Sequence, residues 1–210
     1  MNDMDGIPNI QAASKRCHGV GNPGGGIVML CTANICRSVI AAALLGRRLA
    51  ALGEAVTVRS AGMTRCGDPP NPEVISVMAR YGVATASHRS HVARASDLAR
   101  ADLILAMARD NLRYAVITEP AAWPRTFTLK ELVRRGEQIG TRRPGESLAH
   151  WLSRAHAGRE RASLLGASAE DDVADPAGRP AAAYAETADL LDLLVTRLAE
   201  LGWAHAGPHP

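Results

Sequence analysis

Four short runs along the chain are rich in apolar and β-branched residues: GIVMLC at 26–31, VTVRS at 56–60, ADLILAM at 101–107 and RTFTL at 125–129. Each is too short for a core helix, and the period within them suits strands buried on both faces. Between and after them the apolar spacing switches to the helical repeat. SVIAAALLGRRLAALG begins near Ser38 and offers Gly53 as a left-handed stop. NPEVISVMARYG has Asn71 as a cap, Pro72 in the first turn and Gly82 past the end. RDNLRYAVI follows the third strand, and PAAAYAETADLLDLLVTRLAELG makes a long final helix stopped by Gly202. Strands alternating with helices at this spacing predict an α/β fold: one four-stranded parallel sheet, right-handed crossovers, and helices on both faces.

The pattern also divides the chain. Residues 1–26 carry no period and end in GVGNPGGG, which reads as an N-terminal tail. A single domain is expected over 27–203, followed by a short C-terminal tail at 204–210. The stretch at about 130–168 breaks the alternation with two helical pieces, LKELVRRG and ESLAHWLSRAHAG, joined by TRRPG. It reads as a helical insertion, either packed on the body or lying as a lid over a pocket.

Composition narrows the function. With 47% hydrophobic and 21% charged residues the chain is that of a soluble globular protein. A net charge of +3 suits anionic ligands but lacks the clustered charge of a nucleic-acid binder. Cysteines stand at 17, 31, 36 and 66 with no CxxC pair, so neither a secreted disulfide scaffold nor a zinc site is expected. The first ten residues are acidic where a signal peptide is basic, and no run of about 18 apolar residues occurs, so a cytoplasmic protein with no membrane partner is expected.

The first strand ends at a cysteine, and the run VMLCTANICRSVI passes through a small polar loop before turning helical. In a parallel sheet ligands sit at the carboxyl ends of strands, where a loop leads into a helix. A helix N-terminus offers unpaired N–H groups and partial positive charge, so Thr32 to Arg37 forms a natural cradle for a tetrahedral oxyanion. The same field favours the thiolate form of a cysteine placed there, which makes Cys31 a candidate nucleophile. Arg37 holds two phosphate oxygens with its planar fork, and Ser38 donates a hydrogen bond to the sulfur. A Cys and an Arg six residues apart arise easily by chance in so arginine-rich a chain; the strand–loop–helix setting is what gives the pair weight.

CTANICRS resembles the phosphate-binding loop of the low-molecular-weight protein tyrosine phosphatases. The likeness continues in order through SAG at 60–62, ARYGV at 79–83, SHRSHVAR at 87–94, ADLILAM at 101–107 and DVADP at 172–176. It spans about 27–118 and 170–203, with the insertion outside it. The resemblance implies a three-layer flavodoxin-like fold and a phosphomonoester hydrolase needing no metal or other cofactor. Cys31 would take the phosphoryl group, while Arg37 and the amides of Thr32, Ala33, Asn34, Ile35 and Cys36 would bind its oxygens. Asp175 matches the family's general acid; the residue chemistry by itself does not separate it from Asp171 or Asp172. Asn34, Ser60 and His88 match residues that brace the loop, and Cys36 matches one able to form a reversible disulfide with the nucleophile.

The chain departs from the family at Ala33, Val39 and Ala42, usually Gly, Pro and often Glu. At Ala177 the family usually places an aromatic that walls the pocket, which leaves Trp123, Trp151 and Tyr184 as candidates for that role. A protein-tyrosine phosphatase acting on phosphorylated protein or a small aryl phosphate, releasing inorganic phosphate, is the leading expectation. The alternatives are a phosphate-binding module with little turnover, an arginine phosphatase, where Ile35 is usually Thr, or an arsenate reductase, whose downstream cysteine pair is missing after Cys66. His88 and His91 lack the carboxylates or cysteines that would make them metal ligands.

Overall fold

A computed structural model describes residues 25–203, the side chains of residues 163 and 164 apart. The expected tails, save residues 25 and 26, and Cys17 lie outside the described residues. Strands β1 (Ile27–Leu30), β2 (Val58–Ala61), β3 (Leu103–Ala106) and β4 (Thr126–Thr128) form one sheet in the order β2-β1-β3-β4. All three pairings are parallel, with Ile27 opposite both Val58 and Leu103. This is the expected α/β architecture. The strand of 56–60 runs instead from Val58 to Ala61, since Thr57 already serves the sheet only through its carbonyl, which accepts from Ile27 N.

Strand alternation builds two cores. Ile27, Met29 and Cys31 face one side with Leu103, Leu105 and Met107; Val28, Leu30 and Ile104 face the other. The first side is covered by α1 (Arg37–Ala51), α2 (Pro72–Arg80), α5 (Leu129–Ile139), α6 (Leu148–His156) and α7 (Ala181–Gly202). The second is covered by α3 (Ala95–Arg100) and α4 (Arg109–Thr118), with a 3-10 turn at Pro120–Arg125. Helix α3 is an element the apolar pattern does not reveal: six residues with one buried apolar side chain, Leu98, started by a hydrogen bond from Arg94 N to Asp97.

The boundaries follow the local chemistry. Asn71 caps α2, Gly82 takes φ +68° just past it, and Gly53 takes φ +78° after α1. Thr128 and Glu131 cap α5 reciprocally, each side chain accepting from the other's backbone N–H. Gly202 ends α7 from within, and Trp203 is the cap.

Helices α5 and α6 contribute Leu132, Trp151, Leu152 and Ala155 to the main core, so the segment packs on the body of the domain. Trp151 is fully buried and donates from its indole nitrogen to Gly140 O at 3.0 Å. Behind α6, the Arg159 guanidinium lies 4.0 Å from the ring centres of both Trp123 and Phe127 and bonds Glu131 through two nitrogens, at 2.7 and 2.9 Å.

Candidate active site

Cys31 continues β1, its N–H bonded to Ala61 O at 3.2 Å, and the chain then turns through residues 32–36 into α1. The direction of the loop's peptide groups is set from outside. Thr32 O accepts from Met63 N at 2.7 Å and from Thr64 N and Oγ1 at 3.2 and 3.1 Å. Asn34 O accepts from His88 Nε2 at 2.8 Å, Ile35 O from Asn71 N at 3.0 Å, and Cys36 O from Val39 N and Ile40 N. These four carbonyls are bonded to neighbouring backbone and side chains, and on the inner side of the loop Asn34 N donates to Cys31 Sγ at 3.3 Å.

Asn34 holds the turn together. Its φ of +55° is the left-handed region, which Asn enters more readily than most residues, and it is fully buried. Its amide donates to Ser38 Oγ at 3.0 Å and accepts from His91 N at 3.0 Å. Ser38 Oγ in turn lies 3.0 Å from Cys31 Sγ. Gly62 closes the back: a Cβ there would stand 2.9 Å from Asn34 Cβ and 3.0 Å from Asn34 N and Thr32 O.

Arg37, the first residue of α1, is nearly buried and turns its guanidinium toward the segment 173–175. Nη1 donates to Val173 O at 3.1 Å and Nη2 forms an ion pair with Asp175. Its Nε is buried and meets no protein acceptor, so a donor edge remains for an oxyanion. Asp175 also accepts from Ala177 N at 3.1 Å, so it caps a turn as well as touching the arginine. The structure separates it from the two acids that residue chemistry left level with it. Asp171 is buried between Arg109 and Arg134, and Asp172 caps α4 by accepting from Arg109 N at 2.8 Å.

Burial pushes the Cys36 thiol up to about 12, helped by the negative charge of Asp175 and by Cys31 and opposed by Arg37. Cys31 and Cys36 are both free thiols. Burial also holds His88 below the usual histidine range against the carbonyl of Asn34, and His91 likewise. Among the described residues no group of three or more His, Cys, Asp or Glu side chains is placed to hold a metal ion.

The expected residues are largely brought together: Cys31, Thr32, Ala33, Asn34, Ile35, Cys36, Arg37, Ser38, Asp175 and His88 share one end of the sheet. Ser60 does not bond the loop. Its strand pairs it with Met29, and it lines a cavity of about 630 Å³ behind the loop with Arg59, Thr85 and His88. None of the three candidate aromatics walls the pocket. Trp151 is core, Trp123 packs on Arg159 and His156, and Tyr184 is buried with its hydroxyl accepting from Asn71 Nδ2 at 3.0 Å. Tyr184 therefore supports the loop from beneath, since Asn71 N bonds Ile35 O. Residue spacing does not reveal that Gly62, Asn71 and Asn111 meet the loop; Asn111 Nδ2 reaches Thr32 Oγ1 at 3.3 Å.

A family model described as low molecular weight phosphotyrosine protein phosphatase matches residues 26–142. The chain belongs to this family. It is a phosphatase of the low molecular weight type, acting on phosphorylated substrates. A probable low molecular weight protein-tyrosine-phosphatase, EpsP, of Ralstonia solanacearum is 36% identical over 107 residues, 50% of this chain and 71% of that protein. A protein-arginine-phosphatase of Geobacillus stearothermophilus is 30% identical over 175 residues, 83% of this chain and 93% of that one. Among solved structures, the low molecular weight protein tyrosine phosphatase from T. tengcongensis superposes with a TM-score of 0.63 at 31% identity, covering 83% of this chain and 97% of its own. The family match extends to residue 142, past the start of α5, so the likeness reaches further into the 130–168 segment than the motifs alone indicate. No helix among the described residues is long and apolar enough to cross a membrane.

Proposed function

We propose that this phosphatase is a protein-tyrosine phosphatase working through a phosphocysteine at Cys31, with Asp175 as its general acid and base. The observation that carries the reading is the meeting of Cys31 Sγ, Ser38 Oγ, the Asn34 amide and the Arg37–Asp175 pair at one strand end.

In the first step Sγ bonds to phosphorus as the bond to the leaving oxygen breaks. Asp175 gives that oxygen its proton, so a phenol departs neutral. Arg37 and the amides of residues 32–37 hold the three remaining oxygens, whose charge is spread across them at the transition state. In the second step Asp175, now a carboxylate, takes a proton from water as its oxygen attacks phosphorus. The S–P bond breaks, and Ser38 Oγ, 3.0 Å away, donates to the sulfur as it recovers its electron pair.

Ile35 supports the aryl preference: this half-buried loop residue presents a branched apolar side chain. Arginine phosphatase activity is the second reading, favoured by the likeness to the Geobacillus enzyme over most of the chain. The test compares a phosphotyrosine peptide with a phosphoarginine peptide of the same sequence, using wild type, Cys31→Ser and Asp175→Asn. A kcat/KM at least about tenfold higher on phosphotyrosine, with Cys31→Ser inactive, supports the first reading. The reverse preference transfers the protein to the second, and tight phosphate binding without turnover makes it a binding module.

A further inference from the structure

We propose that Asp171 is a positioning residue that sets where Asp175 sits, an inference resting on the reading of Asp175 as the proton donor. Asp171 lies four residues before it, and its side chain is only 3% exposed. Oδ2 accepts from Arg109 Nε and Nη2, both at 2.8 Å, and Oδ1 from Arg134 Nη2 at 2.8 Å. Arg109 opens α4 on one side of the sheet and Arg134 lies on α5 on the other, so one carboxylate ties together elements from both layers.

The backbone around it is gripped by the same basic residues and their neighbours. Arg109 Nη1 bonds Leu165 O at 3.3 Å, Arg113 Nη1 bonds Gly166 O at 3.0 Å, Lys130 Nζ bonds Ala169 O at 2.9 Å and Arg134 Nη1 bonds Glu170 O at 3.2 Å. Asp172 caps α4 through Arg109 N and folds back on Ser168 N at 3.0 Å. Past this anchor the chain makes two further ties before Asp175. Val173 N bonds Met107 O at 2.8 Å, and Val173 O accepts from Arg37 at 3.1 Å. The segment 171–175 is thus held at one end by two guanidiniums and at the other by a third, with little slack between them.

Burial alone raises the carboxyl of Asp171, and the hydrogen bonds and charges of Arg134 and Arg109 outweigh it, so the group is held below the usual carboxylate range. The clasp is therefore charged at neutral pH. Removing that charge leaves two guanidiniums facing one another, and the segment they held moves. Lys130 and Arg134 belong to the 130–168 segment, so that segment acts on the proton donor by gripping the chain that carries it.

The experiment measures kcat, KM and thermal midpoint for wild type, Asp171→Asn, Arg134→Met, Asp175→Asn and Asp171→Asn/Asp175→Asn. The substrates run from p-nitrophenyl phosphate, with a good leaving group, to phenyl phosphate, with a poor one. Arg197→Ala, which removes an exposed ion pair with Glu137 and Glu200, is the control and keeps wild-type kinetics. Expected for Asp171→Asn is a kcat/KM, which reports phosphoryl transfer to Cys31 alone, within about threefold of wild type on the good leaving group and at least about tenfold lower on the poor one. Arg134→Met, which keeps the Arg109 pair, shows the same pattern in weaker form. The double variant has the leaving-group dependence of Asp175→Asn alone. Should Asp171→Asn or Arg134→Met lose kcat/KM equally on every substrate, or only lower the thermal midpoint, the inference is overturned. If Asp175→Asn itself keeps the wild-type dependence, the proton-donor reading falls and carries this one with it; a steepening in Asp175→Asn alone removes only the role of Asp171.

Discussion

Arg37 and Asp175, 138 residues apart in sequence, form an ion pair whose two ends differ: the arginine side chain is 7% exposed and the aspartate 44%. Arg37 is fixed by its hydrogen bond to Val173 O, whereas Asp175 reaches into solvent and a half-exposed pair adds little to stability. On the proposed mechanism, an oxyanion bound by the loop competes with this carboxylate for the guanidinium. Arg37→Lys keeps a positive charge but not the planar fork. We expect kcat/KM on an aryl phosphate to fall by about 10²-fold or more, with the fold intact by circular dichroism. A loss under threefold would show that charge alone suffices there.

Gly62 supports the loop by being small. The sites a Cβ would crowd are Asn34 Cβ and N and the Thr32 carbonyl, all atoms of the loop. Gly62→Ala should cost about 1–3 kcal/mol in urea unfolding and lower kcat/KM at least about tenfold, because the Asn34 amide that reaches the sulfur is displaced. Unchanged kinetics would mean that the loop tolerates the shift.

Cys36 should stay a thiol across the neutral range, because burial, then Asp175 and Cys31, push it up to about 12. Between pH 7 and 9, iodoacetamide followed by peptide mass spectrometry should find no label on Cys36. Cys36→Ser should retain phosphatase activity within about threefold, whereas Cys31→Ser abolishes it. Rapid alkylation of Cys36 would contradict this.

Three histidines, His88, His91 and His156, are held below the ordinary value, with burial the leading cause in each. Below about pH 6.5 the unfolded chain then binds more protons than the folded one, so stability is full above that pH and is lost as pH falls through the depressed folded values. The urea midpoint should be level from pH 7 to 8 and decline from 6.5 to 5. His88→Gln should flatten part of that decline; an identical slope would exclude His88 as a contributor.

Trp151 lies in the segment that breaks the strand–helix alternation, yet it has no exposed surface. Trp151→Ala should therefore cost about 3–5 kcal/mol, as for any large core aromatic, in chemical unfolding of the whole domain. A cost under 1 kcal/mol would mean that this segment adds nothing to the body.

How far the chain can be read in advance depends on how local the cause is. The four strands and the long helices announce themselves because their apolar periods lie within one element, and Cys31 is marked by standing where one period stops and another starts. The capping of α2 by Asn71 is equally local. What stays hidden is cause at a distance. Asn34 is bonded by His91, 57 residues on, and Asp171 by Arg109, 62 residues back, and no spacing rule predicts either. Ser60 and the three aromatics show the reverse error: residue type suited the role, but strand direction or burial placed each side chain elsewhere.

All three tryptophans, at 123, 151 and 203, are enclosed at 8%, 0% and 4% exposure, two of them beside the helices that close the main core. Intrinsic fluorescence of this protein is consequently a gauge of cooperative unfolding: emission should start blue-shifted, resist acrylamide quenching, and move to the red in one transition when the interior floods.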